Sequence, residues 1–309
     1  MIDRSIFVCG CERSGTTMLG ALLGAASGCV ATPESQFKFD GINAISDELD
    51  TKTIYDLFVS SYRFKLWQVA PPSIKDIEGV NSLKGLLFLF VKEYAKQKGK
   101  NLDRLHTWVD HTPGNIDHIQ RLYTEFPNSM FVHVIRDGRA VTASMKSLRW
   151  GARTAFDGAD IWQKKVARGL AASHLNPSYV YTVRYEDLVL DPVHEMKNLC
   201  SFLGVDFEER IFRSNSFEVP EYTQSQHKLV GKKQDPDRIS AWRSALSARE
   251  VEVFEYLTGD MLSSLGYEKV FSRPRRVTYP EWILFLIKAA EGKVATKLYQ
   301  RGARKKFQS

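Results

Sequence analysis

The chain reads SIFVCGCERSGTTMLGALLGAA from Ser5 to Ala26. Its first five residues are mostly apolar, which predicts a buried strand. Gly10 and Gly15 enclose a short polar loop, and the Leu- and Ala-rich segment 18–26 predicts a helix. A strand, a glycine loop and a helix in this order favour anion binding, because the N–H groups at the helix N-terminus face the ligand.

The same alternation of strand and helix continues along the chain. Short apolar runs at 107–109, 130–135 and 179–183 predict strands. Helical composition is found at 53–67, 82–98, 114–126, 137–148, 160–175, 193–203 and 239–265. Strands that alternate with helices predict an α/β fold with a central parallel sheet flanked by helices. We expect a phosphate-loop domain over residues 1–272, with a long polar loop near 217–238, and a basic C-terminal extension over 273–309 with a helix at 280–299.

Composition and charge exclude several classes of protein. The chain of 309 residues is 43% hydrophobic and 26% charged, which is ordinary for a globular protein and excludes a collagen-like or disordered one. Residues 273–309 contain ten Lys/Arg and two Glu, a charge of +8 against +7 for the whole chain. The body is therefore nearly neutral, and no nucleic-acid partner is expected. The basic tail either contacts an anionic membrane surface or packs on the body.

The cysteines and the apolar runs bear on location. Cys9, Cys11, Cys29 and Cys200 form no CxxC pair and no zinc-type spacing, which predicts buried free thiols in a reducing compartment. No signal peptide is evident, and the longest apolar runs are far shorter than a membrane span. These features predict a cytoplasmic protein and leave peripheral membrane contact open.

The glycine loop departs from that of nucleoside triphosphatases. Gly10 and Gly15 have the usual spacing, but Thr16 stands where a lysine is expected, and Arg13 supplies the positive charge instead. No Asp ends a later strand as a Mg²⁺ ligand. The loop therefore predicts a site for a phosphate-like anion without a metal. A phosphate-loop nucleotide kinase or triphosphatase, which would depend on Mg²⁺, and a non-catalytic binding protein remain the alternatives.

A second anion site is predicted after the strand at 130–135. Arg136 follows that strand directly, and Ser144 lies eight residues further on. Ligands of open α/β sheets bind at the carboxyl ends of the strands. Both side chains can therefore reach one phosphate if the helix packs back past the strand end. Arg139 is expected to pair locally with Asp137 at the surface.

Three motifs in this order resemble the sulfotransferases that use 3′-phosphoadenosine 5′-phosphosulfate (PAPS). They are ERSGTTML at 12–19, Arg136 with Ser144, and VRYEDLVLDP at 183–192. The loop is similar to that of the protein-tyrosine sulfotransferases and their bacterial relatives, and the resemblance covers about residues 5–270. It implies a phosphate-loop fold and transfer of a sulfuryl group from PAPS to an acceptor hydroxyl, without a metal.

The resemblance also implies roles for individual donor-binding residues. The loop residues would hold the 5′-phosphosulfate, Arg136 and Ser144 the 3′-phosphate, and Tyr185 would lie near the adenine. A basic lid at 228–238 would close over the 3′-phosphate. The complete donor set is Arg13, Ser14, Gly15, Thr16, Thr17, Arg136, Ser144, Tyr185, Lys232 and Lys233.

The resemblance points to Glu34 as the catalytic base. Glu34 lies 21 residues after Arg13, a spacing similar to that of the tyrosine sulfotransferase glutamate. Asp110, at another strand end, is the alternative base. His111 stands where relatives often carry a lysine in a Lys-Thr-Pro segment, so assistance to the leaving group falls either to His111 or to Arg13.

The acceptor is not determined by the sequence. The expected acceptor segments, 35–105 and 150–165, are rich in aromatic residues that suit a sugar or phenol site or simply a core. A carbohydrate or glycolipid, a small metabolite and a peptide tyrosine all remain open as the source of the hydroxyl.

Overall fold

The computed structural model of the protein describes residues 2–46, 50–212 and 237–308. Its centre is one five-stranded sheet in which every neighbouring pair of strands is parallel, in the order β2-β3-β1-β4-β5. The strands are β1 (Arg4–Gly10), β2 (Cys29–Thr32), β3 (Thr107–Asp110), β4 (Met130–Ile135) and β5 (Val180–Arg184). The predicted α/β class is confirmed.

Helices cover both faces of this sheet. The α-helices are α1 (Thr16–Gly24), α2 (Lys38–Ser46), α3 (Thr51–Ser60), α4 (Tyr62–Lys65), α5 (Leu83–Gln97), α6 (Ile119–Glu125), α7 (Gly138–Lys146), α8 (Ala155–Leu175), α9 (Tyr185–Leu190), α10 (Pro192–Leu203), α11 (Asp237–Ser240), α12 (Trp242–Ala245), α13 (Ala248–Thr258), α14 (Met261–Ser264) and α15 (Tyr279–Gln308). Four short 3₁₀-helices lie at Ile74–Ile77, Leu102–Arg104, Pro113–Asp117 and Glu209–Phe212.

The core lies on the two faces of β1. Successive side chains of a strand point to opposite faces of the sheet. Phe7 belongs to an aromatic core with Trp108 and Phe131, whereas Ile6 and Val8 belong to the core beneath α1 and α10. Because both faces are covered, β1 is continuously apolar from Ile6 to Cys9 instead of alternating. This packing fixes the carboxyl end of β1, where the glycine loop begins.

Several predicted helices differ from the structure in detail, and some helices were not predicted. The predicted helix 53–67 is broken at Ser61, whose hydroxyl accepts from the N–H of Arg63 and starts α4. The predicted helix 239–265 is four short helices, because Ser247 and Glu250 form a capping box that starts α13 anew. Helix α9 was not predicted, since its six residues follow β5 directly and are too few for a periodicity.

The predictions of buried free cysteines and of a C-terminal helix agree with the structure. All four cysteines are buried and free, as expected for structural thiols. The basic extension is helical over Tyr279–Gln308, longer than the predicted 280–299. Within the described ranges, no helix is both long enough and apolar enough to cross a membrane.

Candidate active site

The loop between β1 and α1 has the backbone shape of an anion cradle. Arg13 and Gly15 both have positive φ, 70° and 102°, which turns successive N–H groups toward one side. A Cβ on Gly15 would lie 2.6 Å from Cδ2 of Tyr185, and one on Gly10 would lie 2.5 Å from the carbonyl oxygen of Val134. Only glycine allows these close approaches at both ends of the loop.

Tertiary contacts join the glycine loop to the second predicted anion site. Nε of Arg13 donates to Oγ of Ser144 over 3.0 Å, and Nη1 of Arg136 donates to the carbonyl oxygen of Arg13 over 3.0 Å. The guanidinium of Arg136 lies 4.2 Å from the ring centre of Tyr185. Residues that are far apart in sequence therefore form one cluster at the carboxyl edge of the sheet.

The cluster is strongly cationic. Burial lowers the pKa of Arg13, and the charges of Arg136 and Arg238 lower it further, whereas Glu34 has the opposite effect. Arg238 also accepts a hydrogen bond at its carbonyl oxygen from Nη2 of Arg136, at 3.3 Å. Three guanidinium groups within mutual electrostatic reach suit a ligand with several negative charges.

Two buried polar atoms of this cluster fit an anionic ligand. Among the residues that the structure describes, Oγ of Ser14 and Nε of Arg136 are buried and have no hydrogen-bond partner. A buried donor without a partner costs free energy, so such atoms call for an explanation. Both lie at the places predicted for the phosphate groups of the donor.

A buried scaffold orients Arg136. Nε1 of Trp162 donates to its carbonyl oxygen at 2.9 Å. The next residue, Asp137, donates its N–H to a carboxylate oxygen of Glu186 at 3.0 Å, and the hydroxyl of Tyr267 donates to the other oxygen at 2.9 Å. Glu186 belongs to the Arg-Tyr-Glu-Asp segment, so that motif helps to position the backbone next to Arg136.

Arg139 pairs with Asp137 as predicted, but the prediction that this pair lies at the surface is wrong. The pair exists at 2.7 Å, but Arg139 is only 2% exposed and also pairs with Glu255 at 2.6 Å. Its guanidinium lies 4.1 Å from the ring centre of Trp242. Helices α12 and α13, distant in sequence, bury the pair, so Arg139 joins elements of the fold and does not face the site.

Glu34 lies after β2 at the same edge of the sheet. Its carboxylate is half-buried and accepts one hydrogen bond from Nε2 of Gln36 at 2.7 Å, while its carbonyl oxygen accepts from Nε1 of Trp67 at 3.2 Å. Burial raises the pKa of this carboxyl group, and the hydrogen bond from Gln36 and the charge of Arg63 only partly oppose that. A carboxylate with a raised pKa is better suited to accept a proton near neutral pH.

Asp110 is the last residue of β3, so the expectation that no Asp ends a later strand is wrong, and several neighbouring side chains bind its carboxylate. Its carboxylate is fully buried, 2.6 Å from Nζ of Lys38, and it accepts from the hydroxyl of Thr112 at 2.6 Å and from Asn115 at 3.3 Å. Burial alone would raise the pKa of Asp110, but the ammonium group of Lys38 and the Thr112 hydroxyl lower it below its usual value. A carboxylate with these partners is poorly placed to accept a substrate proton.

The Asp110 network also holds the segment that carries Glu34. Oγ1 of Thr112 accepts from the N–H of Ser35 at 2.9 Å, and Nζ of Lys38 donates to Oγ of Ser35 at 3.1 Å. Ser35 is adjacent to Glu34 in the chain, so the buried ion pair fixes the backbone on which the candidate base sits.

His111 lies against the first helix, α1. Its ring packs against Gly20 of α1, where a Cβ would lie 2.8 Å from Cγ of the imidazole. The side chain is 2% exposed, and burial lowers the pKa of the imidazole, so it is neutral at pH 7. These observations favour a structural position beneath the loop.

The remaining predicted residues fall into two groups. Thr16 and Thr17 are buried in the first turn of α1, at the loop. Lys232 and Lys233 lie outside the described residues. Lys38 was not predicted as a neighbour of the site because it carries no motif, whereas Arg238 is the last residue of the lid predicted at 228–238.

The loop without a lysine and the cation cluster at the carboxyl edge define an α/β protein of the phosphate-loop class. Within that class the chain belongs to the sulfotransferase family, whose sequence model matches residues 5–209. It is therefore a sulfotransferase enzyme, as the motifs indicated.

Individual relatives are distant but cover most of the chain. The chain is 24% identical to a Caenorhabditis briggsae protein named "Putative protein-tyrosine sulfotransferase", over 88% of this chain and 92% of that protein. It is 25% identical to the nodulation protein NoeE of Sinorhizobium fredii, over 96% of this chain and 71% of that protein. The sulfotransferase domain from the curacin biosynthetic pathway superposes with a TM-score of 0.59 at 20% identity, covering 85% of this chain and 97% of that domain, which supports the fold.

Proposed function

We propose that the enzyme transfers a sulfuryl group from PAPS to an acceptor hydroxyl, with Glu34 as the general base. The observation that carries this proposal is the place of Arg13, which contacts the second anion site through Ser144 and lies within electrostatic reach of Glu34. When bound, PAPS supplies an electrophilic sulfur: the acceptor oxygen bonds to it, the bond from sulfur to the phosphate oxygen breaks, and the hydroxyl proton passes to the base.

The proposed donor contacts follow the two parts of the cation cluster. Arg13 and the loop N–H groups hold the 5′-phosphosulfate, with the buried hydroxyl of Ser14 as a further donor. Arg136 and Ser144 hold the 3′-phosphate, and Tyr185 supports Arg136 from below. Thr16, Thr17, Lys232 and Lys233 keep their proposed donor roles.

Glu34 is the proposed base in preference to Asp110. Its carboxyl group has a raised pKa, and Glu34 is not completely buried, which suits proton transfer with an acceptor. Asp110 is completely buried in its ion pair with Lys38. We therefore assign Asp110 to the positioning of the segment that follows β2.

Arg13 is the proposed group for the charge that develops on the leaving phosphate. It is a cation within the loop, whereas His111 is buried against α1 with a lowered pKa. A fixed cation at the leaving group stabilises the transition state more than a neutral imidazole does.

The acceptor side is proposed to lie between residues 35–105 and 150–165. A carbohydrate or glycolipid, a small metabolite and a peptide tyrosine all supply a suitable hydroxyl. We also propose a cytoplasmic location with peripheral membrane contact through the basic C-terminal extension, whose charge of +8 suits an anionic surface.

Isothermal titration calorimetry tests the donor assignment. Adenosine 3′,5′-bisphosphate should bind much more tightly than AMP, and more tightly than ATP with Mg²⁺, because Arg136 and Ser144 meet the 3′-phosphate. Equal binding of ATP that requires Mg²⁺ would instead favour the kinase alternative. Transfer of ³⁵S from labelled PAPS to fractionated lysate, in EDTA, tests the reaction itself and identifies the acceptor.

A further inference from the structure

The C-terminal helix α15 exposes an unusual amount of apolar surface. Five large apolar side chains within six residues are 44–52% exposed: Trp282, Ile283, Leu284, Leu286 and Ile287. Val294 and Leu298 further along are 59% and 61% exposed. A contiguous exposed apolar patch of this kind marks an interaction surface more often than an ordinary protein surface.

The helix lies along the body of the protein on a narrow inner stripe. The ring centres of Phe285 and Phe156 are 5.7 Å apart in a stacked pair, and Gly292 is buried where a Cβ would lie 2.9 Å from Cγ of Arg153. Glu281 pairs with Arg249 at 2.8 Å. Because this inner face packs against the body of the protein, a partner can contact only the opposite, outer face of α15.

The outer face combines apolar residues with positive charge. Ile283, Ile287, Ala290 and Val294 recur at helical spacing opposite the inner stripe, and Lys297 and Arg301 continue the same face. Residues 288–309 contain seven Lys/Arg and one Glu. A second copy of the chain would bring like charges together on this face, whereas an anionic bilayer accepts the apolar side chains and binds the cations.

Helix α15 also borders the proposed acceptor side. It contacts α4, and it contacts Arg153 and Phe156, so it touches both of the segments from which the acceptor side is built. Shortly after α4, Trp67 donates a hydrogen bond to the backbone of Glu34. A bilayer that covers the outer face of α15 is therefore next to the side from which the acceptor reaches Glu34.

We infer that α15 docks the enzyme on an anionic membrane surface and that the acceptor is an amphiphile held in that membrane, with its hydroxyl at headgroup level. The docking stands on the surface of α15 alone. The acceptor class rests on the proposed sulfuryl transfer with Glu34 as base.

Vesicle sedimentation with the full chain tests the docking. We expect binding to phosphatidylcholine vesicles that contain about 30% phosphatidylglycerol, and little binding to pure phosphatidylcholine, because each Lys or Arg near an anionic surface adds affinity. The double variant I283E/I287E should lose about 100-fold or more in affinity, since it places charge in the apolar stripe. The variant K293S/K297S should lose about 30-fold on the anionic vesicles only.

A matched control uses exposed apolar residues elsewhere. Leu175 and Leu190 are 75% and 65% exposed and lie far from α15 in sequence, so L175E/L190E should bind vesicles like the wild type. Wild-type binding by I283E/I287E, or equal binding to neutral and anionic vesicles, overturns the docking. A dimer in light scattering that I283E/I287E converts to monomer, without vesicle binding by the wild type, overturns it in favour of a second copy.

Labelled transfer separates the acceptor claim from the reaction. With ³⁵S-PAPS and a membrane fraction, label should enter material extractable by chloroform and methanol, and I283E/I287E should reduce that transfer at least tenfold while binding adenosine 3′,5′-bisphosphate normally. Label found only in water-soluble products, with vesicle binding intact, overturns the acceptor class alone. If the wild type does not bind adenosine 3′,5′-bisphosphate, the proposed reaction is wrong, and the vesicle result still tests the membrane docking.

Discussion

Replacement of Asp110 by Asn tests most directly whether Asp110 has a structural role while Glu34 acts as the base. Nζ of Lys38 lies 2.6 Å from Oδ2 of Asp110, and both side chains are 0% exposed. The amide of D110N keeps the shape of the carboxylate but leaves a buried ammonium group without its counter-charge. We therefore expect a large loss of stability, and only a modest loss of turnover in the molecules that remain folded.

The expected loss of stability in D110N is similar whether Lys38 stays charged or gives up its proton. Breaking a buried ion pair by removal of one partner costs about 3–5 kcal/mol. Alternatively Lys38 can give up its proton in the folded variant, which costs about 4.6 kcal/mol at pH 7 relative to an ordinary lysine. The free energy of unfolding of D110N should therefore fall by about 3–5 kcal/mol at pH 7.

Urea unfolding followed by circular dichroism measures this loss. Since Lys38 is neutral in the folded variant and charged in the unfolded chain, the unfolded state binds the additional proton. Stability of D110N should then rise by about 1.4 kcal/mol for each pH unit between pH 7 and 9. The double variant K38M/D110N removes the unpaired ammonium and should recover most of the loss at pH 7.

The exposed pair of Lys52 and Asp56, at 3.2 Å, supplies the control. D56N makes the same chemical change in solvent and should leave the unfolding midpoint unchanged. A D110N protein that unfolds like the wild type, or whose stability does not rise with pH, would show that Lys38 does not depend on Asp110 for its counter-charge. A stable D110N with turnover below one-hundredth of normal would make Asp110 the base.

Three further outcomes are expected. E34Q should lower kcat by about 10²–10⁴-fold with little change in bisphosphate affinity, and the control variant E78Q, at an exposed glutamate, should have normal kcat. In the wild type, kcat/KM should decrease at acid pH with an apparent pKa above that of an ordinary Glu, because a protonated Glu34 accepts no proton. R136A should weaken the binding of adenosine 3′,5′-bisphosphate about 30- to 150-fold in calorimetry, whereas R104A, at an exposed arginine, should leave it unchanged. Normal binding by R136A would show that Arg136 does not form the second anion site. R139M should lower the free energy of unfolding in urea by about 3–5 kcal/mol, since it leaves two buried carboxylates without their cation, and wild-type stability would contradict that role.

Much of the fold and of the donor side could be predicted because the signals are local. A short apolar run followed by glycines and a helix specifies the turn at residues 10–15 wherever the chain goes next. Arg136 could be placed because it directly follows a buried strand, and parallel strands end at one edge of the sheet. The contact between Arg13 and Ser144 follows from that shared edge.

The partners of buried charges could not be predicted in the same way. Lys38 begins α2 with no motif around it, and only the folded chain brings it against Asp110 at the end of β3. Arg139 was expected at the surface because its one recognisable partner is local, yet Glu255 and Trp242 reach it from helices more than 100 residues later. Such pairings depend on long-range packing, which leaves no periodic pattern in the sequence.

The sequence by itself therefore determined the α/β class, the phosphate loop and the edge of the sheet at which the candidate donor-binding residues lie, since strand, turn and helix signals are carried by neighbouring residues. Only the tertiary structure decided which carboxylate is engaged and which is available. Burial and a cation at 2.6 Å hold Asp110 in a structural pair, whereas Glu34 is only partly buried and has a raised pKa. The difference arises from solvent exclusion and from partners distant in the chain, and neither is written in the residues next to Glu34 or Asp110.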